Sequence, residues 1–88
     1  MKKIQWNPDK SQQILNNPNR GVSLAHIADL INSGNVLAIE QRPHYQDQRA
    51  FVVSIEAEVW CVPFREDEHT IFLITAWPDR KLKKRYQE

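Results

Sequence analysis

The chain has 88 residues, 41% of them hydrophobic and 26% charged, with a formal net charge of +1. That balance fits one small domain over residues 1–88 and excludes collagen, a long coiled coil and wholesale disorder. The uncharged apolar runs 59–64 and 70–78 are far shorter than the ~20 residues of a membrane span, and the single cysteine, Cys61, offers neither an internal disulfide nor a zinc site by itself.

No apolar stretch follows the basic opening Met1–Pro8, so no signal peptide is expected, and a reduced, cytoplasmic protein is the natural reading. The charge is unevenly spread. Lys2, Lys3, Lys10 and Arg20 face only Asp9 in residues 1–28, whereas residues 29–68 carry eight acids against Arg42, Arg49 and Arg65. From residue 69 onward the balance is basic again. A polyanion would favour the two ends over the middle.

Ile4-Gln5-Trp6 reads as a short strand. Asn7-Pro8-Asp9 then starts a helix: Asn supplies a cap, Pro has the φ of a first helical residue, and Asp faces the positive end of the dipole. The breaker cluster at 16–21 (Asn-Asn-Pro-Asn-Arg-Gly) ends it. Ser23 caps a second helix, in which Leu24, Ile27, Ala28 and Ile31 recur at helical spacing up to Gly34. From Val36 the pattern turns to strands: 36–41, 49–55 with Phe51, Val53 and Ile55 on one face, 59–64 and 70–76. After the polar loop 42–48, the last three of these, with short connections, make an antiparallel meander. Pro63 points to an irregular or edge position. Pro78 stops the last strand, and Asp79 caps a basic helix over 80–87. The class is α+β, with a small antiparallel sheet, two N-terminal helices and a short basic C-terminal helix.

No phosphate-cradling glycine loop, dinucleotide fingerprint or zinc-protease helix is present. His26, His44 and His69 are scattered, His26 beside an apolar helical stripe, where a structural role is expected. Cys61 reads as a small core residue. What remains are Arg, Lys, Tyr and His side chains at loops and strand ends: Arg65 ending a strand, His44 and Tyr45 ahead of Arg49, and Arg80, Lys81, Lys83, Lys84 and Arg85 in the tail. Arg65 also has a plainer reading as an ion pair with Glu66, Asp67 or Glu68, and the tail residues as a solvated helix face. Together they suit metal-free RNA cleavage, which needs a group to take the 2′-hydroxyl proton, a cation on the phosphorane and an acid for the leaving oxygen.

The segments Ile4–Lys10, Arg20–Leu24, Tyr45 with Arg49, Val62–Arg65 and Ile71–Ala76 with Tyr86 form a linear pattern that resembles the BrnT toxins of bacterial type II toxin–antitoxin modules, within the RelE-like ribonuclease group. Ile4-Gln5-Trp6-Asn7-Pro8-Asp9-Lys10 looks like the family's W-[DN]-P-x-K opening, and Arg20-Gly21-Val22-Ser23-Leu24 like its H-G-V-S-F. Tyr45 and Arg49 match a Tyr…Arg pair, and Val62-Pro63-Phe64-Arg65 a V-Y-T-x-R strand end. Ile71–Ala76 with the basic helix ending in Tyr86 looks like I-R-I-I-S-A-R…R-R-x-Y. The chain departs from the pattern at Arg20, where the family has His, and at Trp77-Pro78, so that Arg80 is the nearest guanidinium to the family's Arg.

The resemblance implies a RelE-like fold and a metal-independent endoribonuclease that inhibits translation, needs no cofactor and is neutralised by a ribbon-helix-helix antitoxin. DNA is then met only through the antitoxin, and a membrane not at all. Arg65 and Arg80 are expected to stabilise the transition state with Arg49 nearby, and Tyr86 or His44 to move protons. Lys10, Lys81, Lys83, Lys84 and Arg85 would steer RNA. The alternative is a non-catalytic RNA- or antitoxin-binding module of the same fold, acting in operon regulation.

Overall fold

The structure, a computed structural model, describes residues 2–87. Its elements run β1 (Lys3–Trp6), α1 (Pro8–Asn16), α2 (Leu24–Asn32), β2 (Ala38–Gln41), β3 (Arg49–Ile55), β4 (Glu58–Glu66), β5 (Thr70–Leu73), β6 (Trp77–Pro78) and α3 (Arg80–Gln87). The fold is α+β. The helix starts are those the sequence encodes: Asn7 Oδ1 accepts from the N–H groups of Asp9 and Lys10, and Ser23 Oγ from that of His26. A third contact ties the two N-terminal helices together. Ser11 Oγ, buried on α1, accepts the otherwise unpaired Leu24 N–H at the start of α2, at 2.9 Å.

The sheet runs β1-β5-β4-β3-β2, with β6 alongside β4. It is not wholly antiparallel: β1 lies parallel to β5, pairing Ile4 with Ile71 and Trp6 with Leu73. Strand alternation divides its two faces. Phe51, Val53, Ile55, Trp60, Val62, Phe64 and Leu73 meet Ile14, Leu24, Ile27 and Ala28 of α1 and α2, with Phe51 and Phe64 stacked at 4.1 Å between ring centroids. On the other face Ala50, Val52, Val59 and Cys61 meet Leu82 of α3, with Trp77 and Tyr86 at the margin. The chain thus builds two unequal cores, and α3 covers only part of the second face.

Pro63 is buried in the central strand, paired with Ala50, rather than at an edge. The two-residue turn at 56–57 sets the β3–β4 hydrogen-bond phase so that residue 63 directs its nitrogen away from β3. That nitrogen has no proton to offer a strand on its other side. There the strand expected over 70–76 breaks: β5 ends at Leu73, Ile74 N–H donates to the Pro63 carbonyl at 2.9 Å, and the chain rejoins β4 as β6 opposite Cys61 and Trp60. The irregularity signalled by proline is present, but in the neighbouring strand.

Two further expectations are corrected. His26 is exposed on α2 and takes no part in the core. The strand expected from Val36 begins at Ala38, because Val36 turns in to pack against the helical core. No helix among the described residues is long and apolar enough to cross a membrane.

Candidate functional site

Alternation on β2 places Ala38 and Glu40 on the face that α3 covers, and the Arg42 side chain follows beyond the strand end. Between β2 and α3 lies a cleft of ≈ 190 Å³ bordered by Glu40, Arg42, Ala50, Cys61, Trp77 and Asp79. Glu40 is the hub. Arg85 Nη1 donates to both of its carboxylate oxygens, at 2.9 and 2.8 Å, and Tyr86 Oη donates a short hydrogen bond to Oε2. The tyrosine bond, reinforced by Arg85, holds the Glu40 carboxyl below the usual carboxylate range. The same contact pushes the Tyr86 phenol up, and Arg85 is raised with it.

Arg42 occupies the mouth of this cleft. Its guanidinium lies 4.4 Å from the Tyr45 ring centroid and 5.6 Å from that of Trp77, and Nη1 donates to Gln48 Oε1 at 3.1 Å. The two aromatic rings leave the planar cation fixed and half-buried, ready to receive an anion through its remaining N–H groups. Cys61 forms part of the floor. Burial pushes its thiol up to about 11, so it is not a nucleophile at neutral pH. Asp79 is committed elsewhere: its Oδ1 caps α3 by accepting from Lys81 and Leu82. A carboxylate that holds a phenol and a guanidinium therefore borders the same cleft as a second guanidinium, a set able to exchange a proton and to neutralise a phosphate.

The candidate residues from the sequence fall into separate places. Tyr86 and Arg85 join the Glu40 cluster. His44 is exposed in the loop at 42–48, whose neighbour Tyr45 stacks on Arg42. Arg49 and Arg65 sit at the far end of β3 and β4, already paired: Arg49 with Glu66 and over the Phe64 ring, Arg65 with Asp47 at 3.1 Å. Arg80, Lys83 and Lys84 line a depression beside Glu58 at the opposite end of β4. Seven steps along the strand separate Glu58 from Arg65, about 23 Å at ~3.3 Å per residue. Arg65 and Arg80 are thus not brought into one site. Lys81 is exposed on α3, and Lys10 lies on α1, across the sheet from α3.

Sequence reading missed Glu40 and Arg42. The signal was available: continued alternation from Ala38 puts a carboxylate and then a guanidinium on one side of β2, but the Arg85 partner of Glu40 comes from 45 residues later and only the tertiary structure supplies it, as it does the Trp77 ring beside Arg42. Among the described residues, no group of three or more His, Cys, Asp or Glu side chains is placed to hold a metal ion. Compared with known protein families, curated proteins and solved structures, the chain matches none.

Proposed function

We propose that this protein is an RNA-cleaving toxin of the type II toxin–antitoxin class and that its cleavage site is the Glu40–Tyr86–Arg85–Arg42 cluster. The observation that carries this reading is the Glu40 carboxylate, which holds a tyrosine and an arginine of α3 beside a second, aromatic-walled arginine. Glu40 accepts the 2′-hydroxyl proton, O2′ attacks phosphorus, the P–O5′ bond breaks, and Tyr86 protonates the departing O5′. Arg42 and Arg85 face the charge that builds on the phosphorane. The helices α1 and α2 packed on one sheet face, and the basic C-terminal helix ending near Tyr86, support the RelE-like fold that the motif order suggests. A ribbon-helix-helix antitoxin and a cytoplasmic setting belong to the same reading.

The test is cleavage of an end-labelled ribo-oligonucleotide by the purified chain, without added metal, alongside Glu40→Gln, Arg42→Ala and Tyr86→Phe. Each substitution should slow cleavage about 100-fold or more. Expression of the wild type should arrest growth with RNA decay, and Arg42→Ala should not. Full activity in all three variants would overturn the assignment. One feature of the site favours the non-catalytic alternative: Glu40 already satisfies Arg85 and Tyr86 internally. Salt-dependent RNA binding with no cleavage by the wild type would select that reading.

A further inference from the structure

At the β3–β4 turn end of the sheet, between the α1–α2 connection and the start of α3, lies a larger cleft of ≈ 380 Å³ that the Glu40 cluster does not use. It is bordered by Asn19, Arg20, Glu56, Glu58, Trp60 and Arg80. Arg20 comes from the α1–α2 connection and Arg80 from the start of α3, 60 residues later in sequence. Neither has a carboxylate within salt-bridge distance among the described residues, unlike Arg49, Arg65 and Arg85, which are all paired. The cleft continues along α3 past Lys83 and Lys84. Lys83 Nζ stands 3.8 Å from Glu58 and offsets its charge, while Glu56 has no such cation among the described residues.

The rim itself is strained. Glu56 and Ala57, the two turn residues, have φ of +49° and +68°, a pair of left-handed conformations ordinarily filled by Asn-Gly. The turn sets the Glu56 side chain on the wall of a cleft that also carries two unpaired arginines.

We infer that this cleft is a second site, which binds a phosphorylated ribose. Arg20 and Arg80 take the phosphate oxygens through their planar N–H forks, and the Glu56 carboxylate accepts a hydrogen bond from the sugar hydroxyl. The mixed lining explains why a nucleotide unit fits better than a bare anion: two guanidiniums match the phosphate, and the free carboxylate needs a donor that phosphate lacks. The ligand is either one unit of an RNA strand or a free nucleotide, and the chemistry of the cleft is the same for both. The inference does not depend on cleavage at Glu40.

The experiment is calorimetric titration of the full chain with adenosine 3′,5′-bisphosphate, which contains no phosphodiester to cleave. Arg20→Ala and Arg80→Ala should each weaken binding about 10-fold or more, as expected for a lost charge-assisted bond. Arg20→Lys, which keeps the charge, guards against a folding defect and should bind between Arg20→Ala and the wild type. Lys3→Ala, an equal change of charge on the edge strand β1, should bind as the wild type does. The 2′-deoxy analogue should bind several-fold more weakly, and Glu56→Ala, which removes the acceptor, should erase that difference. A 12-nucleotide RNA displacing the bisphosphate at lower concentration than adenosine 5′-monophosphate would identify a strand as the ligand; the reverse order would identify a free nucleotide. Unchanged affinity in both arginine variants, an equal loss in Lys3→Ala, or equal binding of the deoxy analogue would overturn the proposal. Loss of cleavage in the Glu40 variants with bisphosphate binding intact would leave this site standing independently.

Discussion

The attachment of α3 can be broken at one residue. Leu82 is the only buried residue of the helix, seated on Ala50, Val52, Val59 and Cys61. Leu82→Ala removes three carbon groups, worth ~0.8 kcal/mol each in transfer from water, or about 2.5 kcal/mol before any cavity term. Deep core Leu→Ala changes cost up to ~5 kcal/mol, but α3 lies at the margin of the second core and can settle into the space, so about 2–3 kcal/mol is expected. For a chain of this size, total stability is of order 4–13 kcal/mol, and such a loss lowers Tm by roughly 10–20 °C. A circular-dichroism melt measures the total, and hydrogen exchange locates it. Amides of α3 should be less protected than those of β3 or α2 in both wild type and variant, because the helix can open while the larger core on the other face, which does not touch Leu82, stays closed. Leu82→Met, nearly volume-conserving, should cost under ~1.5 kcal/mol. A loss below about 1 kcal/mol in Leu82→Ala, or protection of α3 amides equal to that of α2 amides, would refute the picture of a helix held by one apolar anchor and the Glu40 contacts.

Ser11→Ala should cost about 1–3 kcal/mol in urea unfolding, since it leaves the buried Leu24 N–H without its acceptor. Ala57→Gly should stabilise by about 1 kcal/mol, because glycine carries no steric penalty at a φ of +68°; unchanged stability would mean that the turn is unstrained. The Glu40 carboxyl titrates below its unfolded value, so the stability it contributes is fully present above about pH 5 and is lost as pH falls through the lowered folded value. Glu40→Gln should flatten that acid limb in a pH series of melts. With Glu40 lowered and the Tyr86 phenol raised, the cleavage rate should be nearly flat between about pH 5 and 9; a step near ~6.5, where an imidazole titrates, would refute those proton-transfer roles.

Local chemistry was legible in the sequence where the cause is local. Asn7-Pro8-Asp9 and Ser23 start helices because their side chains reach N–H groups two or three residues away. The alternation of Phe51, Val53 and Ile55 gives the inner face of β3. The connection at 56–58 is a tight turn as expected, yet nothing in Glu-Ala announces two left-handed residues: the geometry is imposed by the hairpin, against the preference of its residues. Pro63 signalled an interruption without saying where it would fall. Its strand stayed central because proline can still pair on one side, and the break passed to the segment after Leu73.

The sites were less legible, because charge alone does not say which cations are already spent. Arg65, Arg49 and Arg85 look alike in sequence to Arg20 and Arg80. Folding brings Asp47, Glu66 and Glu40 to the first three and leaves the other two facing a cleft. The α+β class, the helix starts, the inner face of β3 and the basic character of α3 could be read from the sequence, since each follows from periodicity or from contacts within a few residues. Only the tertiary structure decided that β1 joins β5, that α3 closes over Glu40, and that Arg65 and Arg80 stand at opposite ends of β4, because those outcomes depend on contacts between residues tens of positions apart whose geometry no local pattern encodes.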